Sequence, residues 1–163
     1  MAIRFENTRF DSDLTEFDEL ARKMAAKFGY TAELGLDARL AELLRLRVAQ
    51  LNPCPYCLIL HTAAAGRIGI DTETIAHLPG WRESAAFTDA EKAALAYCEG
   101  LTTYDLAGFP ELHARLVAHF DATSIAEIAA VVINMNVWTR LKLAEGAVPV
   151  PVAGEEASPD RIG

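Results

Sequence analysis

Two thiols and an imidazole share one short run, Asn52-Pro53-Cys54-Pro55-Tyr56-Cys57-Leu58-Ile59-Leu60-His61. The flanking pattern is helical, and on a helix offsets of three and seven residues bring Cys54, Cys57 and His61 to one face. The thiolate is the reactive form of cysteine, and a free thiol ionises near pH ~8.5. A neutral imidazole can take its proton, directly or through one water. A carboxylate can orient that imidazole and stabilise it once charged. Cysteines three apart on a helix can close a disulfide after slight relaxation. A peroxide can therefore oxidise one thiolate to a sulfenic acid, with which the second thiol condenses.

Glu42 is the candidate carboxylate. It lies ten residues before Asn52, and His61 lies nine after it. A short connection at Asn52-Pro53 makes the two flanking helices an antiparallel hairpin. At a rise of ~1.5 Å per residue, Glu42 and His61 both sit about 14 Å from the turn, at one level. Cys57 is the i,i+4 neighbour of His61. Two arguments compete over which sulfur attacks. The unpaired N–H groups of a first helical turn favour a charged Cys54, whereas the adjacent imidazole favours Cys57. We assign Cys57 as the attacking thiol and Cys54 as the resolving one.

Other uses of C-x-x-C fit less well. A c-type haem site needs His directly after the second Cys, where this chain has Leu58. A thioredoxin-type motif follows a strand, and the flanks here are helical. Structural zinc usually takes four ligands; Glu42 would have to be the fourth, and no second C-x-x-C is present. Glu42 also has the i±3 spacing to pair with Arg39 or Arg45 as a solvated helix charge. Cys98, among Leu95, Ala96 and Leu101, reads as core. Trp138, Val137 and Leu141 read as core or interface, and Tyr56 as a residue at the mouth of the site.

The elements that must position these groups are helices, about seven of them, and the fold class is all-α. Asp13 through Phe28 is amphipathic, with Asp13 and Glu16 in capping-box spacing. Asp37 opens a helix to Leu51. Asn52 as N-cap and Pro53 at the first helical position start the next, which ends near Gly66 or Gly69. Asp71 caps a short helix to about His77, and Pro79-Gly80 is a turn. Thr88 to Glu91 is a capping box for a helix ending at Gly100. Pro110 starts another, to Ala118. Ser124 to Glu127 caps the last, to Ala144, with Gly146 beyond. No strand pair, phosphate loop or fixed-period repeat is evident. Residues 1–146 read as one domain. Residues 147–163, with Pro149, Pro151 and Pro159 and no core pattern, read as a flexible tail.

Composition narrows the function. The chain has 163 residues, 52% of them hydrophobic, and a formal net charge of −8. Its mean hydropathy is +0.14 and its pI about 5.0. An acidic chain repels phosphate backbones and anionic lipid surfaces, which argues against nucleic-acid and membrane partners. No unbroken apolar stretch reaches bilayer length, and Met1-Ala2-Ile3-Arg4-Phe5-Glu6 has no signal-peptide core. The expected location is the cytoplasm. Three cysteines make no disulfide framework, and a close pair in a reducing compartment is typically catalytic or metal-binding. The slight excess of apolar residues suits a subunit interface.

The run from Glu42 to Thr62 resembles the core signature of the alkylhydroperoxidase AhpD-like proteins of the carboxymuconolactone decarboxylase superfamily, E-x(11)-C-x-x-C-x-x-x-H. All four functional residues are kept. Trp81-Arg82-Glu83-Ser84 with Phe87 to Leu95, and Ile133 to Arg140, resemble later segments of the same group. The resemblance implies an all-α homo-oligomer, trimer or hexamer, built around the helix hairpin. It implies a thiol peroxidase whose Cys54 and Cys57 cycle between dithiol and disulfide, with Glu42 and His61 as proton relay and neither metal nor organic cofactor. The substrates would be hydrogen peroxide or alkyl hydroperoxides, and the reductant a dithiol or a protein of unknown identity. Tyr56 stands where the best-known member has His, and Pro53 where Gly is common, which stiffens the turn. The alternatives are a decarboxylase-branch lyase using His61 as base, and a non-catalytic redox-sensing oligomer.

Overall fold

A computed structural model describes residues 3–9 and 17–151. Among them are seven α-helices: α1 (Phe17–Phe28), α2 (Ala38–Leu51), α3 (Pro55–Arg67), α4 (Thr72–His77), α5 (Asp89–Thr103), α6 (Phe109–Val117) and α7 (Ala122–Glu145). A 3₁₀ segment, Leu78–Glu83, follows α4 where Pro79-Gly80 predicted a turn. The fold is all-α, as the sequence predicts. The Asp13–Glu16 capping box lies outside the described residues.

The core is organised around α2, which packs on α3, α5 and α7. Leu43, Leu44, Leu46 and Val48 are fully buried, and Glu42 and Arg45 are buried with them, so α2 is enclosed on nearly every side over two turns. A helix buried this way takes its position from its neighbours and holds them in turn. Truncating one of these leucines to alanine costs about 2–5 kcal/mol. The α2–α3 hairpin therefore rests on the centre of the buried core.

Helix starts follow side-chain chemistry. Asp37 accepts the Leu40 N–H at 3.0 Å, and Asp71 accepts that of Thr74 at 2.6 Å. Thr88 and Glu91 complete a reciprocal capping box. Three expectations need correction. The cap of α7 is Asp121, which accepts the Ser124 N–H at 2.7 Å; its charged oxygen is a stronger acceptor than a hydroxyl. Glu127 instead takes the N–H groups of Gly35 and Leu36, at 3.1 and 2.7 Å, tying the approach to α2 onto α7. Gly100 does not end α5, which runs on to Thr103 and closes with Tyr104 at φ 60°. The glycine is there for contact: a Cβ would overlap the Leu112 side chain of α6.

The third correction concerns the site. Asn52 closes α2 by donating its backbone N–H to Val48 O at 3.0 Å, and α3 begins at Pro55 with Cys54 as its N-cap. Proline at the first helical position loses no hydrogen bond, and Pro55 satisfies that rule in place of Pro53.

A two-stranded antiparallel sheet is also present, against expectation. β1 (Ile3–Asn7) pairs with β2 (Ala147–Pro151), Ile3 opposite Pro151 and Asn7 opposite Ala147. A ribbon of two strands is all edge, so Pro149 and Pro151 can point their missing N–H outward. Phe5 of β1 lies 4.5 Å from the Tyr56 ring, centroid to centroid, laying the ribbon over the start of α3. One helix, α7, does meet the length and composition of a bilayer span, with mean hydropathy 1.2. Here it packs on α1, α2 and α5.

Candidate active site

The hairpin brings Glu42 and His61 together. Glu42 Oε1 lies 2.6 Å from His61 Nδ1, and each residue is only 3% exposed. The other carboxylate oxygen, Oε2, accepts from Arg45 Nη1 at 3.0 Å. Arg45 Nη2 donates to the Gly29 carbonyl at 3.4 Å. Glu42 is thus no solvated helix charge: it pairs with Arg45 inside the protein, while Arg39 goes to Glu91 at 2.9 Å. Burial pushes the Glu42 carboxyl up, but the hydrogen bonds and charges of His61 and Arg45 outweigh it and hold the group below the ordinary carboxylate range. An ionised carboxylate can only accept, so Nδ1 carries the hydrogen and Nε2 is left as the base. Tyr30 fixes the ring from another side, edge-on to His61 at 5.3 Å with an interplanar angle of 88°.

The two sulfurs meet at the first turn of α3. As N-cap, Cys54 Sγ accepts the backbone N–H of Cys57 at 3.3 Å. The hydrogen bond from the Cys57 thiol brings the Cys54 thiol down to about 7; burial opposes this, while the Cys57 N–H and the charge of Lys142 assist it. Cys57 is pushed up by that same hydrogen bond, by burial and by the charge on Cys54. The pair therefore gives up one proton readily and keeps the second, with the resting charge on Cys54. Cys98 is a different case. It is fully buried, its Sγ faces the Leu44 carbonyl at 3.8 Å, and burial raises it to about 12, as befits a core thiol.

Access separates the two sulfurs. A cavity of about 370 Å³ is lined by Cys57 and His61 together with Tyr30, Tyr56, Trp138 and Lys142. Cys54 does not line it. A smaller cavity, about 170 Å³, opens beside Cys54, Pro53, Pro55 and Lys142. All four residues predicted for the site are thus brought to one place by the hairpin. Tyr56 lines the mouth as expected. Trp138 is a cavity wall where core or interface was expected. Sequence reasoning missed Tyr30, the structural part of Arg45, and Lys142. The i, i+4, i+8 spacing of Asn134, Trp138 and Lys142 on α7 was a visible signal, since it aligns three cavity residues on one face. Among the described residues, no group of three or more His, Cys, Asp and Glu is disposed to hold a metal ion.

This geometry defines an all-α protein with a dithiol beside a buried carboxylate–imidazole pair. Residues 18–100 match the model of the carboxymuconolactone decarboxylase (CMD) family, and the chain belongs to that family. It is similar to the uncharacterized protein YdfG of Bacillus subtilis, with 30% identity over 72% of this chain and 80% of that one. It is also similar to the uncharacterized protein YnjA of Escherichia coli, with 32% identity over 73% of this chain and 64% of that one. Among solved structures, ATU0492 of Agrobacterium tumefaciens superposes with a TM-score of 0.78 and 25% identity, covering 85% of this chain and 95% of that one. That protein is of unknown function and carries the provisional designation of an AhpD antioxidant defence protein. An uncharacterized peroxidase-related protein from Silicibacter sp. TM1040 shares the fold, with TM-score 0.71 and 20% identity over 83% of this chain and 71% of that one. The chain is an AhpD-like member of its family.

Proposed function

We propose that the protein is a thiol-dependent peroxidase that reduces hydrogen peroxide or organic hydroperoxides through Cys54 and Cys57. The observation that carries this is the buried Glu42–His61 contact of 2.6 Å, one helical turn from a cysteine that shares a cavity wall with the imidazole. A structural histidine needs no dithiol beside it, and a core dithiol needs no proton relay.

The first step belongs to Cys57 by access. The resting charge sits on Cys54, but Cys57 lines the larger cavity, and His61 Nε2 takes the Cys57 proton as the peroxide is attacked. The Cys57 thiolate attacks the nearer peroxide oxygen, the O–O bond breaks, and the leaving alkoxide takes a proton from His61. Cys57 becomes a sulfenic acid. The Cys54 thiolate then attacks the Cys57 sulfur, a disulfide forms, and the displaced hydroxide leaves as water with a second proton, which His61 takes up from solvent. Two electrons have passed from the dithiol to the peroxide. An external dithiol or protein thiol must return them by exchange. Glu42 stabilises the imidazolium formed between the steps.

The same proposal has the chain working in the cytoplasm as a homo-oligomer. Large apolar side chains at Tyr104, Leu106 and Val117 are more than half exposed, which suits burial against another copy. The test of the activity is peroxide consumption, with a dithiol reductant, by the wild type, Cys57→Ser and a Cys54/Cys57 double Ser variant. Loss of turnover in both variants supports the proposal. Undiminished turnover in Cys57→Ser refutes it, and lyase activity persisting in the double variant would favour His61 acting as a base without the sulfurs.

A further inference from the structure

Lys142 lines both cavities that flank the thiol pair, the larger at Cys57 and the smaller at Cys54. Its ammonium lies 2.8 Å from Glu145 Oε2. It also stands over the Tyr56 ring at 4.8 Å and near the Trp138 ring at 5.7 Å, inside cation–π range of both. Its side chain is 14% exposed, and that of Glu145 1%.

As a stability device this pair is poorly made. Glu145 is the last residue of α7, where a carboxylate faces the negative end of the helix dipole. Its second oxygen, Oε1, has no hydrogen-bond partner among the described residues. Buried ion pairs seldom outperform apolar side chains of the same volume even when fully satisfied. What the pair does deliver is a positive charge at a fixed place beside two sulfurs.

The thiol pair needs one. Losing its first proton leaves a negative charge in a buried site, and that charge is costly unless a cation meets it. The charged groups around the pair can be compared in turn. On α2, Arg45 is matched to Glu42, and Glu42 to His61 of α3. Arg22 of α1 lines only the larger cavity, and Arg9, which donates to the Leu143 carbonyl, only the smaller. Among the described residues, Lys142 is the cation common to both.

We propose that Lys142, seated on Glu145, is the counter-cation of the thiol pair: a positioning residue that holds negative charge on whichever of Cys54 and Cys57 bears it. Within the peroxidase cycle, which this last clause assumes, one ammonium serves the attack by Cys57 and then the closure by Cys54. After the sulfur–sulfur hydrogen bond and burial, its charge is among the influences that draw both thiols toward the ionised form.

The test uses the reduced full chain and no peroxide. The rate of iodoacetamide alkylation is followed against pH in the wild type, Lys142→Met, Lys142→Gln and Lys142→Arg. The inflection near 7 is expected to move up by about one unit in the Met and Gln variants, roughly a tenfold loss of thiolate below it, and to stay close to the wild type in Arg. Two neutral replacements guard against one failing to fold, and circular dichroism confirms the fold of each. An unmoved inflection in a folded Met or Gln variant overturns the role of Lys142. Peroxide turnover does not enter this readout. A protein that never reduces a peroxide yet shows the shift keeps the counter-cation and loses the peroxidase; an active enzyme without the shift does the reverse.

Discussion

Glu42 and His61 are 19 residues apart in the chain and 2.6 Å apart in space, across the turn that joins α2 to α3. Replacing Glu42 by Gln removes the charge that fixes the imidazole and leaves Arg45 without its carboxylate. Peroxide turnover (kcat/KM) should fall about 10²-fold, the usual weight of one proton-transfer partner. Stability in urea should fall by about 2 kcal/mol, the value of a hydrogen bond to a charged group. Turnover equal to the wild type would remove Glu42 from the relay.

The same carboxylate sets a pH dependence. Its folded pKa lies below the ordinary value of ~4.3, so its contribution to stability is complete above that value and disappears as pH falls through the folded pKa. Glu99, held down by Arg82, Trp81 and Arg47 against burial, acts in the same direction. Urea midpoints of wild type and Glu42→Gln should differ at pH 7 and converge in acid. A gap that widens toward low pH would contradict the ionised state of Glu42.

The acidity of Cys54 depends chiefly on the thiol of Cys57 as donor. Cys57→Ala removes that donor while keeping the helix. The alkylation profile of Cys54, expected to inflect near 7 in the wild type, should then move up toward the free-thiol value of ~8.5. An inflection that stays near 7 would show that the helix N-terminus and Lys142 sustain the thiolate without the Cys57 donor.

Cys98 serves as an internal control. Native protein treated with iodoacetamide at pH 8 should label Cys54, the sulfur of the pair that gives up its proton, and leave Cys98 unlabelled until urea is added, because its thiol is buried and raised to about 12. Cys98→Ala should leave turnover unchanged and cost about 1 kcal/mol of stability, the scale of one buried methylene-sized group. Peptide mapping by mass spectrometry reads the first result and urea unfolding the second.

Gly29 is where α1 approaches the site. A Cβ there would collide with the Asn134 side-chain amide and the backbone of Ala25, and the Gly29 carbonyl is an acceptor for Arg45. Gly29→Ala should destabilise the protein by about 2 kcal/mol, the cost of overfilling a packed contact. A melting temperature equal to the wild type would mean that α1 and α7 separate freely at this point.

Much of this was legible in the residues themselves. Glu42, Cys54, Cys57 and His61 are on one hairpin, and fixed helical rise converts their spacing into proximity without knowledge of the rest of the fold. Caps at Asp37, Asp71 and Thr88 were readable because each carries its own acceptor. What was not legible depended on partners distant in sequence. Gly100 is a contact with Leu112, not a stop. Glu127 belongs to Gly35 and Leu36, not to its own helix. The β1–β2 ribbon joins opposite ends of the chain through a proline-rich strand that reads as a tail. Lys142 comes to the sulfurs by the packing of α7 on α3, and no local pattern names the residue it will face.

The most direct measurement is a thiol count on the reduced protein before and after one equivalent of hydrogen peroxide, with mass spectrometry of the product. Loss of two thiols per chain, a chain lighter by two hydrogens, and a peptide linking Cys54 to Cys57 are the predicted results. Three intact thiols with the peroxide unconsumed, or oxygen added at Cys57 with no bond to Cys54, would contradict the dithiol mechanism.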